Sequence, residues 1–238
     1  MLNSYIDAIY KGLEPEFANL VKTYAWHKSA KCKTPNIEEI IEHRAQMANR
    51  WRINPEATAA EAVQWGGLDY LGNERNPEFC HGDPREIVER TCKNRSNWGL
   101  ATWSKILAVR DPSKYFIFDA RVSLAINKYC ADAFVKVEFV FPILPSRIER
   151  RRLDQYEVIK KLENNGAKKF NNCAELYFDY YCPIIIGLAN KMSADSCGHV
   201  FLFGSDQLND EVRKNNVFKF GFDILPHLVE MALFMKGK

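Results

Sequence analysis

The chain has 238 residues, enough for one large domain or for two small domains that share a cleft. Apolar residues make up 47% of it and charged residues 26%, a composition that supports a sizeable core and excludes disorder throughout. The longest charge-free apolar stretch, residues 180–190, is too short to span a bilayer, and the first residues lack the pattern of a signal peptide. We therefore expect a cytoplasmic protein with no membrane partner.

The net charge of +3 conceals an uneven distribution along the chain. Residues 85–169 hold 18 basic and 10 acidic side chains, a net charge of +8. The net charge is −3 in residues 1–84 and −2 in residues 170–238. The middle third is the expected surface for an anionic partner such as nucleic acid, although a set of solvated helix faces would give the same pattern.

Helical spacing dominates the first quarter of the chain. After Asn36, three isoleucines and Arg44 recur at intervals of three and four residues, which is typical of a helix start. Thr58 and Glu61 predict a further helix start through a capping box. Residues 72–84 are rich in glycine, asparagine and proline and predict a loop.

A second group of predicted elements surrounds one acidic residue. Pro84 suits the first turn of a helix, and residues 98–109 predict the next helix, which Asp111 and the proline after it end. Residues 116–118 form a short apolar bridge. Asp119 follows the bridge and predicts the start of another helix.

The remaining segments are again mostly helical in pattern. Residues 133–145 alternate and predict a short strand or an extended loop. Residues 146–166 predict a basic helix, residues 173–192 an apolar helix kinked by Pro183, and residues 221–235 a final amphipathic helix. Helix outweighs strand, so we predict a fold that is all-α or nearly so.

Several functional classes lose support because their motifs are missing. The sequence contains no GxGxxG, no phosphate-binding Gly-Lys-Ser/Thr loop, no GxSxG and no HExxH. Its seven cysteines include no Cys-x-x-Cys pair, so we expect reduced and mostly buried thiols. The five histidines are scattered, and we expect surface or capping roles for them. We therefore predict neither a metal nor a cofactor.

One segment, residues 98–122, combines a helix, a turn, an apolar bridge and an aspartate at a helix start. Its Ser104-Lys105 and its Asp119-Ala-Arg-Val122 resemble the helix-hairpin-helix DNA glycosylase superfamily. The pattern Asp-Pro-x-x-Tyr-x-Ile-x-Asp-x-Arg-Val and the closing residues 229–235 are similar to small prokaryotic 8-oxoguanine DNA glycosylase-like proteins. Some proteins of that group are accessory proteins of CBASS anti-phage operons.

The resemblance implies a single glycosylase-like unit over residues 1–238. Two helical subdomains would flank a cleft, one formed by residues 1–84 with 170–238 and the other by residues 85–169. The implied activity is that of an N-glycosylase, with or without AP-lyase activity, acting on a modified or damaged purine in nucleic acid or in a nucleotide.

The chemistry assigns separate roles to two residues. The carboxylate of Asp119 would stabilise the positive charge that develops on the sugar when the base leaves. The amine of Lys105 would attack the sugar carbon, provided that a lowered pKa leaves it neutral. We expect both side chains to face one cavity. The alternatives are that Asp119 is only a helix cap and that Lys105 is only a solvated lysine.

Other residues complete the predicted site. The resemblance implies that Glu230 reads the edge of an extruded base and that Phe234 stacks on it, with Trp98 and Arg121 also contacting substrate. The alternative places Phe234 in the core and Glu230 on the surface. The predicted nucleic-acid contacts are Lys93, Arg95, Lys114, Arg147, Arg150 and Arg151.

Three kinds of function remain open at this stage. The first is the N-glycosylase, whose partner would be DNA or a modified nucleotide. The second is a non-catalytic module that binds DNA or a nucleotide in the same cleft. The third is an assembly subunit that binds protein partners encoded in a defence operon.

Overall fold

The computed structural model describes residues 2–24, 37–66, 80–95, 99–142, 144, 149–170, 172–194 and 219–237, without the side chains of residues 91–95 and 149–152. This part of the chain is mostly helical, which confirms the prediction of a fold that is all-α or nearly so. Its helices are α1 (Leu2–Leu13), α2 (Phe17–Lys22), α3 (Ile37–Trp51), α4 (Pro55–Trp65), α5 (Pro84–Arg95), α6 (Leu100–Arg110), α7 (Ala120–Asp132), α8 (Glu149–Asn164), α9 (Cys173–Glu175), α10 (Cys182–Ala194) and α11 (Leu225–Lys236).

The strand content described is small. Strands β1 (Phe139–Val140) and β2 (Lys168–Lys169) pair in parallel, with Phe139 opposite Lys168. This agrees with the prediction of a short strand or extended loop within residues 133–145. A 3₁₀ turn, Glu14–Glu16, joins the first two helices.

Helix starts follow local capping chemistry. Asp119 is the N-cap of α7, as predicted, and Asn54 is the N-cap of α4, where its side chain accepts from the backbone N–H of Ala57. The predicted capping box at Thr58 is wrong, because Asn54 followed by proline starts the helix one turn earlier. Thr58 instead lies buried inside α4 and donates its hydroxyl to the carbonyl of Asn54 at 2.7 Å.

The apolar helix around Pro183 contains an irregular turn. Residues 173–194 are helical throughout, but Leu176–Tyr181 between α9 and α10 is a π-helical segment. Because proline has no N–H and its ring clashes with the carbonyl four residues earlier, the wider turn before Pro183 relieves a contact that a regular α-helix would force.

Helices α7 and α11 lie at the centre of the packing. Helix α7 contacts α1, α8 and α11, and α11 also contacts α2 and α10. The contact of α11 with α7 is close, since a Cβ added at Gly237 would lie 2.0 Å from the carbonyl oxygen of Arg121.

The buried apolar side chains of both predicted subdomains belong to one cluster, and the boundaries between the subdomains remain a prediction. None of the described helices combines the length and the apolar character needed to cross a membrane.

The apolar bridge between α6 and α7 is buried, although extended backbone carries polar groups that need partners. Two tyrosines of the π-helical segment supply donors. Tyr177 donates its hydroxyl to the carbonyl of Phe116 at 2.8 Å, and Tyr181 donates to the carbonyl of Ile117 at 2.5 Å.

Partners on the other side of the bridge come from α6 and α11. The N–H of Ile117 donates to Glu230 at 3.0 Å, and the N–H of Phe118 donates to the hydroxyl of Ser104 at 2.9 Å. The bridge therefore passes through the core with its polar groups bonded to buried side chains, and it ends at Asp119.

Removing one of these hydroxyls tests the role of the bridge contacts. We expect Tyr181→Phe to lower the free energy of unfolding by about 1–3 kcal/mol, because the buried carbonyl of Ile117 loses its donor. The control is Tyr156→Phe, in which the altered side chain is 61% exposed. Urea unfolding followed by circular dichroism measures both variants. Equal stability of Tyr181→Phe and the wild type would show that this hydrogen bond adds nothing net.

Candidate active site

Asp119 occupies a half-buried position at the start of α7. One carboxylate oxygen, Oδ1, accepts from the backbone N–H groups of Arg121 at 2.9 Å and of Val122 at 3.0 Å. These bonds fix the carboxylate at the positive end of the helix dipole. The capping role is therefore real, and it also holds the charge in one orientation.

Lys105 is buried, with only 4% of its surface exposed. Its ammonium Nζ donates to the carbonyl of Ala101, one turn earlier in α6, at 2.7 Å. Burial lowers the pKa of Lys105, and the negative charges of Asp119 and Glu230 oppose this effect without cancelling it. The charge of Asp119 thus acts on the amine of Lys105. The burial of Lys105 excludes the alternative of a solvated lysine.

A glycine at the end of α4 makes room for this lysine. A Cβ added at Gly66 would lie 2.2 Å from Cδ of Lys105 and 2.4 Å from its Cε. The backbone of Gly66 therefore packs directly against the aliphatic part of Lys105. Any larger residue there would displace the lysine from its position.

Glu230 forms a buried ion pair with Arg44 of α3. Its oxygens accept from the two terminal nitrogens of the guanidinium at 2.8 and 3.0 Å, and Oε2 also accepts from the N–H of Ile117. The alternative of a surface position for Glu230 is wrong, since its side chain is only 4% exposed. The prediction that Glu230 reads a base has no support in this geometry, because both oxygens already bind internal donors.

His227 also contacts the buried ion pair between Arg44 and Glu230. Its Nε2–H donates to the carbonyl of Pro112 at 2.8 Å, while Nδ1 accepts from Arg44 at 3.1 Å. Burial and the nearby charge of Arg44 lower the pKa of His227 to about 3, so the ring is neutral at pH 7. The predicted surface or capping role is wrong for His227, because its ring is completely enclosed in the core.

Phe234 lies one turn after Glu230 on α11 and is buried, as its alternative assignment to the core predicted. The guanidinium carbon of Arg121 lies 4.1 Å from the centre of its ring, within the range of a cation–π contact. The ring of Tyr24 lies 5.7 Å away at a tilt. Phe234 therefore contacts Arg121, which lies two residues after Asp119 in the chain.

Among the predicted nucleic-acid contacts, the structure describes the side chain of Lys114. Lys114 is exposed and pairs with Asp111 at 3.0 Å, so it is available to solvent at the end of α6. Trp98 and Arg147 lie outside the described residues. Lys93 and Arg95 lie in α5, and Arg150 and Arg151 in the first turn of α8, with side chains outside the description.

Sequence reasoning missed three buried residues that interact with Glu230, namely Arg44, Tyr24 and His227. Arg44 carried a signal, because it follows the isoleucines of α3 at the spacing of the buried face. Burial raises the pKa of Tyr24, and the charges of Asp119 and Arg121 also act on its hydroxyl. No local pattern marks Tyr24, which follows the short helix α2.

Comparison with protein-family models, with curated protein sequences and with solved structures found no match to this chain. Among the described residues, no group of three or more histidine, cysteine, aspartate or glutamate side chains is placed to hold a metal ion. The cysteines whose side chains the structure describes are Cys80, Cys130, Cys173 and Cys182, and these are buried free thiols, as predicted.

The neutral histidine predicts a pH dependence of stability. The pKa of His227 is about 3 in the folded protein and 6.5 when unfolded, so the unfolded chain takes up a proton first as the pH falls. The contribution of this neutral histidine to the free energy of unfolding is fully present above pH 6.5 and is lost as the pH falls towards 3. Between pH 7 and pH 5 we expect this histidine to lower the free energy of unfolding by about 2 kcal/mol.

Urea unfolding of the wild type and of His227→Gln at both pH values measures this effect. The glutamine variant should lose about 2 kcal/mol less than the wild type over this interval, because it cannot titrate. Equal losses in the two proteins would contradict the burial of a neutral ring.

Proposed function

We propose that this chain is an N-glycosylase with a helix-hairpin-helix-like arrangement that releases a modified or damaged purine from nucleic acid or from a nucleotide. The observation that supports it most is the burial of Lys105 within electrostatic range of Asp119. Burial lowers the pKa of Lys105, and so favours the neutral amine that a nucleophile requires. The sequence pattern around both residues, which resembles the glycosylase superfamily, supports the same proposal.

The two side chains would divide the chemistry. As the bond between base and sugar breaks, its electron pair leaves with the base and the sugar carbon becomes positive. The carboxylate of Asp119, held by two backbone N–H groups, stabilises that charge. The lone pair of the Lys105 amine then forms a bond to the same carbon. The proton released from that amine passes to the departed base, and the covalent adduct opens to a Schiff base.

A second candidate function is a non-catalytic module that binds nucleic acid or a nucleotide, or that assembles with protein partners in a defence system. One observation favours it. Lys105, Glu230 and Phe234 are each engaged by protein groups, namely Ala101, Arg44 and Arg121. A cluster that serves only the fold would show such internal contacts.

Asp119→Asn tests the electrostatic role of the carboxylate. We expect base release to fall by about 100-fold or more, because the charge that stabilises the sugar cation is lost. Asparagine is also a good helix cap, so the stability should change by less than about 1 kcal/mol. Single-turnover assays on oligonucleotides with 8-oxoguanine and deazaguanine bases measure the rate.

The matched control for this variant is Asp111→Asn. Asp111 also binds local groups at a helix end, through Ser113, and it carries no proposed role in the reaction. Base release by Asp111→Asn should equal that of the wild type. Equal rates for Asp119→Asn and the wild type would contradict the enzymatic role of Asp119.

Lys105→Met separates catalysis from stability. The methionine matches the aliphatic part of the lysine and removes a buried amine, so we expect unchanged or higher stability, by up to about 1 kcal/mol. We also expect loss of the adduct that borohydride traps between wild type and substrate. The control is Lys11→Met, which removes an exposed lysine of α1 with no proposed role and should keep the adduct. A stability loss above about 2 kcal/mol in Lys105→Met would indicate a structural role.

A further inference from the structure

Tyr24 differs from the other buried tyrosines of the described chain, because its hydroxyl forms no hydrogen bond there. Each of the others donates its hydroxyl to a protein oxygen 2.5–2.8 Å away, and they are Tyr5, Tyr129, Tyr177 and Tyr181. Tyr24 is buried as well, with 6% of its surface exposed. A buried hydroxyl without a partner lowers stability, so a partner from outside the chain would account for its position.

Packing places Tyr24 near the start of α7. Its N–H donates to the carbonyl of Val21 at 3.2 Å, just after the end of α2. Its ring lies 5.7 Å from the ring of Phe234, and the guanidinium carbon of Arg121 lies 4.1 Å from the same ring. The backbone N–H of Arg121 in turn binds the carboxylate of Asp119. A continuous set of contacts therefore connects Tyr24 to Asp119.

Two neighbours of Tyr24 also have polar atoms that the described residues leave unused. The guanidinium of the half-buried Arg121 forms neither a hydrogen bond nor an ion pair with them. Both hydrogen bonds to the carboxylate of Asp119 use Oδ1, which leaves Oδ2 without a donor in the same part of the chain. Groups that serve only the fold are normally paired when buried, as Arg44 and Glu230 are. The unused groups indicate a place where a bound molecule completes the hydrogen bonds.

We propose that Tyr24 contacts the substrate and donates its hydroxyl to the departing base. This inference rests on the proposed glycosylase function, in which the electron pair of the broken bond leaves with the base. Negative charge then develops on the base, and a hydrogen-bond donor stabilises it while the carboxylate of Asp119 stabilises the sugar. Tyr24 keeps its own proton, and the base takes up the proton that the Lys105 amine releases.

Burial suits Tyr24 to the role of a donor that does not ionise. It raises the pKa of the hydroxyl, while the charges of Arg44 and Glu230 act on that pKa in opposite directions. The hydroxyl is therefore protonated at neutral pH and can donate a hydrogen bond without losing its proton. Away from water, such a bond to a developing negative charge is stronger than it would be at the surface.

Tyr24→Phe tests the proposal, because it removes the hydroxyl and keeps the ring that packs against Phe234. Single-turnover assays use the oligonucleotide whose base the wild type releases fastest, at increasing enzyme concentrations. We expect the maximal rate to fall about 10-fold or more, because a donor to the developing charge is lost. The enzyme concentration that gives half of the maximal rate should change by less than about two-fold, because the bond strengthens in the transition state. The melting temperature should not fall.

The matched control is Tyr129→Phe, which removes the hydroxyl of a buried tyrosine on α7 itself. That hydroxyl donates to the carboxylate of Glu16 at 2.6 Å. Its loss should lower the melting temperature and leave the maximal rate of base release unchanged. The two variants together separate a hydroxyl that serves the reaction from one that serves the fold.

Three results would overturn the proposal. The first is an unchanged maximal rate in Tyr24→Phe with unchanged half-saturation. The second is an unchanged maximal rate with weaker half-saturation, which would indicate a contact to a group that the reaction does not alter, such as a phosphate. The third is an equal loss of rate in Tyr24→Phe and Tyr129→Phe, which would indicate a structural effect.

Asp119→Asn, assayed in parallel, distinguishes failure of this inference from failure of the proposed function. If Asp119→Asn loses base release and Tyr24→Phe retains it, the role of Tyr24 is wrong and the glycosylase proposal stands. If Asp119→Asn releases base as fast as the wild type, or if the wild type releases none, both proposals are wrong.

Discussion

The buried ion pair between Arg44 and Glu230 joins three parts of the chain that are far apart in sequence. It connects α3 to α11, and the same carboxylate accepts from the N–H of Ile117 in the apolar bridge. Loss of either partner of such a pair typically costs about 3–5 kcal/mol, because the remaining charge is left unpaired in the core. This requirement keeps α3, α11 and the bridge in one arrangement.

The position of the bridge then determines which side chains meet at the candidate site. Ser104 in α6 binds the N–H of Phe118, and the next residues on the two segments are Lys105 and Asp119. This buried hydrogen bond therefore brings the chain segments that carry the lysine and the carboxylate close together. The tyrosines of the π-helical segment hold the opposite side of the bridge, so the bridge is bonded from α6, from α11 and from the segment before α10.

Features set by neighbouring residues were the ones that sequence reasoning predicted. The cap at Asp119 depends on its own side chain and the N–H groups two and three residues later, and the prediction was confirmed. Thr58 shows the limit, because two capping patterns overlapped and the asparagine–proline pair one turn earlier prevailed. The spacing of Arg44 with the isoleucines of α3 predicted only a helix, and its acidic partner is 186 positions away. Helical periodicity contains no information about which distant helix supplies such a partner, and the enclosure of His227 has the same origin.

The energetics of Lys105 bear on whether the buried cluster serves the fold or a reaction. The carbonyl of Ala101, which accepts from its ammonium, already lies at the helical position that accepts from the backbone N–H of Lys105. Within the described part of the chain, the ammonium forms no ion pair that would compensate for its lost hydration. A methionine would fill the same space beside Gly66 without that penalty. A buried amine that an apolar side chain could replace is expected where function requires its chemistry, and the lowered pKa of Lys105 suits the nucleophile of the proposed reaction.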